Sequence, residues 1–332
     1  MDEAEVLDLS ELVSVVIPAY NVGPYIEDCI KSVFNQTYTN WELIVVNDGS
    51  KDNTLDIARK AAGDDPRIHI YTQSNQGSAA ARNSGLSYAK GSSIIFMDGD
   101  DFWLPECLEK LVSAQEQSGA QVAYCGYNHY YMNGYNRNYR YGYPDGNIII
   151  PAIKGEVRFH LGAMLIDKKV LDKNKLKFTE GCLIGQDLEF MLKVAAVATF
   201  KAVPQNLLMY RVRPGSAINS KWKWEKHFHA VKGVRRAAEF IADHYQVSPD
   251  LTIIQSGMDI RLGKLLSKFF WHVVKTNHYQ EALGIIERTL EDHYYAKTLE
   301  KLKKNQLGLL DRIKHQIVLS KNRFFWKLAK YM

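Results

Sequence analysis

Residues 43–50 read Leu-Ile-Val-Val-Asn-Asp-Gly-Ser, an apolar run that breaks directly into a polar turn. Four large apolar side chains without alternation suit a strand buried on both faces, and Asn-Asp-Gly-Ser is turn chemistry. The pattern recurs on either side. Residues 13–17 give way to Pro18-Ala19-Tyr20-Asn21, and residues 94–97 to Asp98-Gly99-Asp100-Asp101. Residues 68–71 and 122–124 are further runs of strand length. Between the first two strands, Ile26, Cys29, Ile30, Val33 and Phe34 recur at helical spacing behind Pro24. Residues 77–90 and 105–117 are the next predicted helices. Strand–helix alternation requires right-handed crossovers. The expected fold class is therefore α/β, a mostly parallel Rossmann-like sheet with helices on both faces, followed by a helical C-terminal region.

The polar turns fall where an open parallel sheet binds ligands, outside the carboxyl ends of its strands. One alone is an ordinary turn; three on one rim describe a site. Asp98, Asp100 and Asp101 are the most chemical of the set. Three carboxylates within four residues repel one another unless a cation lies between them. Hard oxygen ligands suit Mg2+ or Mn2+, ions that share their shell with phosphates. Gly99 lets the backbone approach a ligand. The competing role, capping a helix ahead of Pro105, falls to Asp101. In the small-residue helix start at 75–85, Arg82 meets either a phosphate or an acidic neighbour. Gly185-Gln186-Asp187-Leu188-Glu189 sets acids ahead of an apolar helical run, which the helix dipole alone would favour. Arg211 and Arg213, before Pro214-Gly215-Ser216, suit a diphosphate clamp or a solvated loop.

Taken in order over about residues 12–216, the segments PAYNV, ELIVVNDGSKDNT, NQGSAAARNSGL, IIFMDGDD and GQDLEF resemble the family 2 glycosyltransferases of the GT-A fold. The resemblance implies an inverting, nucleotide-sugar-dependent enzyme of the bacterial polysaccharide, capsule or lipopolysaccharide type. Such an enzyme is a hexosyl- or N-acetylhexosaminyltransferase moving sugar from a UDP-sugar to a hydroxyl of a glycan or lipid-linked saccharide. It uses a divalent metal, Mn2+ or Mg2+. Pro18, Tyr20, Asn21 and Asp48 match the nucleoside pocket. Asp98 and Asp100 match the D-x-D carboxylates, with Gly99 between them. Asp98 then lies near the ribose and the metal, and Asp100 binds the metal that bridges the diphosphate. Asp187 matches the aspartate of the family's Glu-Asp pair, the general base. Gln186 stands where the glutamate is usual, which removes a negative charge beside that base. Arg82 and Arg213 join the donor-binding set, Arg213 near a polar residue that the family often places over the diphosphate.

Charge is distributed unevenly. Residues 1–220 hold 21 Lys and Arg against 26 Asp and Glu, and residues 221–332 hold 21 against 11, so −5 and +10 sum to the chain's +5. Three regions are expected: an acidic tail at 1–11, a catalytic domain at 12–220 with its acceptor side from about residue 126, and a basic helical region at 221–332. The Tyr-rich stretch 124–143 reads as a surface or pocket loop, and Trp222, Trp224, His227 and His229 as a lid. Near the end, Leu309, Leu310, Ile313, Ile317, Val318, Phe324, Phe325, Trp326 and Leu328 lie among Lys314, Lys321, Arg323, Lys327 and Lys330. That composition fits an anionic membrane interface or a protein surface.

Four scattered cysteines, Cys29, Cys107, Cys125 and Cys182, suit buried thiols in a reducing compartment rather than zinc or disulfides. No run approaches the ~20 apolar residues of a membrane span, and no secretory leader is recognised. A cytoplasmic location is expected, peripheral on the inner face of the cell membrane if the terminal helix docks there. Two other classes stay in view. A sugar-nucleotide nucleotidyltransferase would carry a glycine-rich basic loop near residues 12–24, and none is there. A noncatalytic nucleotide-sugar-binding scaffold would be marked by a lost D-x-D or base, and both are intact. The acidic N-terminal rim argues against nucleic acid as a partner.

Overall fold

The computed structural model describes residues 11–131, 136–137, 142–157, 159–213, 222–302 and 306–330. The predicted tail up to residue 10, the Pro214-Gly215-Ser216 turn and parts of the Tyr-rich stretch lie outside the described residues. The chain divides into two compact units, Met1–Cys182 with Phe190–Asn219, and Leu183–Glu189 with Ser220–Met332.

The first unit is built on β1 (Val13–Ala19), β2 (Trp41–Asn47), β3 (Ile68–Thr72), β4 (Ser93–Phe96), β5 (Phe102–Trp103), β6 (Val122–Tyr131), β7 (Asn136–Arg137), β8 (Met164–Asp167) and β9 (Phe200–Val212). Their order across one sheet is β3-β2-β1-β4-β8-β6-β9-β5, with β7 paired to β6. The expected parallel arrangement holds from β3 to β4. Beyond β4 the sheet is mixed: β8 runs antiparallel to β4 and β6, β9 parallel to β6, and β5 antiparallel to β9.

The apolar runs do not alternate because both faces of this sheet are covered. On one face Val13, Val15, Ile17, Leu43, Val45 and Ile95 enter a core with Ile26 and Ile30 of α1 (Gly23–Phe34). Ala58 of α2 (Thr54–Ala62) and Leu108 and Leu111 of α4 (Cys107–Ser118) join them. On the other face α3 (Ser78–Tyr88) closes on the strands through Gly85, where a Cβ would lie 2.3 Å from Val16 Cγ1. Phe96, in register with Val16, packs there edge-on against Phe178 and Phe190. Two short helices, α5 (Ile149–Lys154) and α6 (Lys168–Lys173), and the longer α7 (Gln186–Val197) follow.

The Tyr-rich stretch is not a loop through its first eight residues. Residues 124–131 continue β6, laddered to β9 from Val122↔Phe200 to Tyr131↔Val212. Tyrosine is a strong strand former when a partner is supplied, and the 13-residue β9 supplies it. The register shifts at Gly126, where a Cβ would stand 2.0 Å from Asn206 Oδ1.

The second unit is helical: α8 (Trp224–His244), α9 (Leu251–Thr276), α10 (Tyr279–Leu290), α11 (His293–Lys301), α12 (Leu309–Leu319) and α13 (Arg323–Ala329). α9 buries Ile254, Met258, Leu262, Leu266, Phe270 and Val274, a strict four-residue repeat that the other helices cover. The single terminal helix read from the sequence is two helices, broken at Lys321 with φ +47°. Asn322 Oδ1 accepts from Phe324 N at 2.9 Å and starts the second. Among the described residues no helix is long and apolar enough to cross a membrane. Of the residues expected to form a lid, Trp224, His227 and His229 lie in the first turns of α8 and Trp222 just ahead of it. Trp222 stacks on His227 and His272, and His229 Nδ1 accepts from Leu183 N at 3.2 Å.

Candidate functional site

The first two polar turns are sewn together at the carboxyl ends of β1 and β2. Asn21 adopts φ +50°, its Oδ1 accepts from Lys51 N at 2.8 Å, and its N–H reaches Ser50 Oγ at 3.2 Å. Val22 N donates to Thr54 Oγ1 at 2.8 Å. Gly49, at φ +69°, brings the backbone against Asn75, where a Cβ would meet the amide nitrogen at 2.9 Å. Asp48 is buried, and its carboxylate accepts from Gln73 Nε2, Gln76 N and Gly77 N at 2.8–2.9 Å. It therefore organises the loop that leads into α3. Tyr20 projects from the same rim, exposed, beside half-buried Pro18.

The third turn follows β4 on the same rim. Gly99 packs so tightly that a Cβ would come within 3.2–3.4 Å of Val22, Ile26 and the Pro18 carbonyl. Three arginines surround the acids. Arg82, buried on α3, donates Nη2 to Asp98 Oδ1 and lies over the Phe178 ring. Its Nε and Nη1 have no hydrogen-bond partner within the described residues, an uncommon state for a buried guanidinium. From the end of β9, Arg213 Nε donates to Asp100 Oδ2 at 2.6 Å. Arg211 donates its backbone N–H to Asp101 Oδ1 at 2.8 Å, Nε to the Asp100 carbonyl at 2.9 Å and Nη2 to Asp28 at 3.0 Å. Asp101 is thus a buried tie between the turn and β9, and not the helix cap considered from sequence; Glu106 holds the cap position of α4.

Electrostatics separates the three acids. Burial pushes the Asp101 carboxyl well up, and the charges of Asp100 and Asp98 push it further. Asp100 is also raised, by burial first and Asp98 next, against the pull of Arg213. At Asp98 burial is opposed by Arg82, His160 and Arg213, which together hold it below the usual carboxylate range. Asp98, Asp101 and His160 each offer a ligand atom within 4.8 Å of the others. His160 Nδ1, however, accepts from Gly162 N at 3.2 Å, so the neutral ring carries its proton on Nε2, 3.7 Å from Asp101 Oδ2. In that tautomer the nitrogen facing the cluster donates rather than ligates. Asp101 Oδ2 itself has no hydrogen-bond partner among the described residues. Mutually repelling carboxylates with a spare buried oxygen are a donor set that fits a hard divalent cation.

Asp187 belongs to the second unit, itself exposed on the first turn of α7, with Oδ1 accepting from Leu188 N at 2.8 Å. Glu189, two positions on, is buried and forks with Arg236 at 3.0 and 2.6 Å. Sequence reasoning did not single out Asp28 or His160. Each is a lone polar residue far along the chain from the acidic turn, with no local pattern to mark it.

Comparison with known proteins places the chain. Residues 14–182 match the model of Glycosyl transferase family 2. The uncharacterized glycosyltransferase EpsJ of Bacillus subtilis is 31% identical over 245 residues, 70% of each chain. This chain belongs to glycosyl transferase family 2. Among solved structures, S. aureus TarS 1-349 in complex with UDP-GlcNAc superposes with a TM-score of 0.65 at 18% identity, covering 96% of this chain and 90% of that one. The mannosyltransferase PcManGT of Pyrobaculum calidifontis, in complex with GDP-Man and Mn2+, gives 0.56 at 16% identity over 92% and 86%. These likenesses establish the GT-A type of fold expected above.

Proposed function

We propose that the chain transfers a sugar from a UDP-sugar to a hydroxyl of a glycan or lipid-linked saccharide, with inversion at the anomeric carbon. One observation carries the reading: an acidic turn ringed by Arg82, Arg211 and Arg213 at the carboxyl ends of parallel strands. The complexes of TarS with UDP-GlcNAc and of PcManGT with GDP-Man and Mn2+ support a nucleotide-sugar donor and a metal.

In this reading the turns at Pro18, Tyr20, Asn21 and Asp48 receive the nucleoside, and the backbone at Gly99 borders the donor beside Asp98. Asp100 and Asp98 hold a divalent ion, Mn2+ or Mg2+, which when bound supplies Lewis-acid neutralisation of the leaving diphosphate. Arg82 and Arg213 add cationic contacts to the same phosphates. Asp187 takes the acceptor hydroxyl's proton as the new C–O bond forms. The bond from the anomeric carbon to the phosphate oxygen breaks on the opposite side, and UDP leaves with the electron pair. The product is the inverted glycoside.

An anionic membrane surface is the second partner proposed. On α12 and α13, Leu310, Ile313, Phe324 and Phe325 are exposed among Lys321, Arg323 and Lys327. The catalytic reading is tested by UDP release from a panel of UDP-sugars. Release with Mn2+ or Mg2+ that stops on chelation and returns on adding back the ion supports it; full release in excess chelator removes the metal from the scheme.

A further inference from the structure

Within the helical unit, α8, α10 and α11 enclose a groove of about 690 Å3. Its wall is aromatic. Trp224 and Phe228 of α8 line it with Tyr295 of α11, the last two rings 5.8 Å apart. Its rim is cationic, with Lys232 Nζ 5.2 Å from the Phe228 ring and Arg288 across from it on α10. The inner charges of the groove are already matched: Arg235 pairs with Glu239 and Asp292, and Arg236 with Glu189. Lys232 and Arg288 are exposed, and neither is in an ion pair among the described residues.

The groove is also tied to the candidate base. The forked Arg236–Glu189 pair joins α8 to the first turn of α7, the turn that carries Asp187. Gly233 makes that approach possible, since a Cβ there would stand 3.3 Å from Glu189 Oε2 and from the Gly185 carbonyl. An aromatic wall beside unmatched cations suits a sugar ring that bears a negative group: the ring's C–H face lies on an aromatic ring and the anion on the cations.

We propose that this groove binds the acceptor as an anionic saccharide, its ring on Trp224 and Phe228 and its phosphate or carboxylate on Lys232 and Arg288. The inference rests on the glycosyltransferase reading, and its test is separable from it. The full chain is labelled with 5-fluorotryptophan, and the Trp224 fluorine resonance is identified by its loss in Trp224→Phe. With UDP and Mn2+ saturating, glucose 1-phosphate, glucuronate and glucose are titrated in turn.

The expected result is a saturable shift of that resonance with at least one anionic probe and none with glucose at equal concentration. Comparing the two anions tells phosphate from carboxylate. Lys232→Ala with Arg288→Ala should weaken binding ~10-fold or more, the scale of losing charge-assisted contacts. If the double variant melts early, Lys232→Gln alone repeats the comparison. No saturable shift from either anion up to about 50 mM, a weak-binding limit, would overturn the proposal, as would an equal shift with glucose or unchanged binding in the variants. UDP-sugar hydrolysis by the unaltered chain is read in parallel. Its absence strikes the catalytic reading, whereas loss of groove binding alone strikes only this one.

Discussion

Asp187 and Glu189 stand two positions apart on α7, and their surroundings give them different work. Glu189 is buried in its fork with Arg236, so its charge is committed to holding two helices together. The Asp187 carboxylate is exposed, and its neighbour Leu188 supplies a backbone donor from the next residue rather than a capping bond deeper in the helix. A proton acceptor must reach an incoming hydroxyl, and only the exposed carboxylate meets that demand. Asp187→Asn should therefore lower turnover by ~10²-fold or more, the usual scale for a lost general base, while UDP affinity stays near wild type. Asp100→Asn should reduce both turnover and metal-dependent UDP binding, because its carboxylate lies among the arginines of the donor site. Steady-state rates with a parallel UDP titration separate the two. Retention of more than about a tenth of wild-type turnover by Asp187→Asn would move the base elsewhere.

Among the elements, α3 shows how closely a helix can be pressed onto this sheet. Gly85→Ala would set a methyl 2.3 Å from Val16 Cγ1, and a β-branched neighbour has little rotamer freedom with which to yield. The substitution should cost ~1–3 kcal/mol, an overpacking penalty, read as a lower unfolding midpoint. Adding Val16→Ala should recover part of that loss, and a strictly additive second loss would refute the contact. At the other end of the chain, Trp326 and Ala329 fasten α13 inward, Trp326 donating Nε1 to the Ile317 carbonyl at 2.9 Å. The opposite face carries Phe324, 66% exposed, and Phe325 is exposed at its flank. Phe324→Ser with Phe325→Ser should reduce sedimentation with anionic liposomes severalfold and leave the unfolding midpoint in place; equal sedimentation would reject docking through α13. The break at Lys321 was not readable beforehand, because apolar and basic residues keep helical spacing across it. Nor was the length of β6, whose tyrosines need β9, some 80 residues further along the chain, to become a strand.

At the scale of the whole molecule, the parallel half of the sheet and its polar turns are legible because they are local. Burial on both faces writes itself as unbroken apolar runs, and ligand-facing turns follow them directly. The rest of the site is non-local. Arg211 arrives on Asp28 and Asp101 from a strand more than a hundred residues away, and His160 reaches Asp101 from a short turn before β8. No spacing rule announces such meetings, because they depend on strand order. Charge follows the division of the chain, with a net −5 over the first 220 residues and a net +10 in the helical remainder, where the bases are concentrated. A molecule so divided suits a metal-assisted donor site in one part and an anionic acceptor or surface in the other. The proposed transfer is a single displacement at the anomeric carbon. Proton NMR of the sugar first released when the chain hydrolyses an α-linked UDP-sugar, recorded before mutarotation, tests it most directly. The β-anomer is expected, formed only with the divalent ion present. The α-anomer as first product would contradict it.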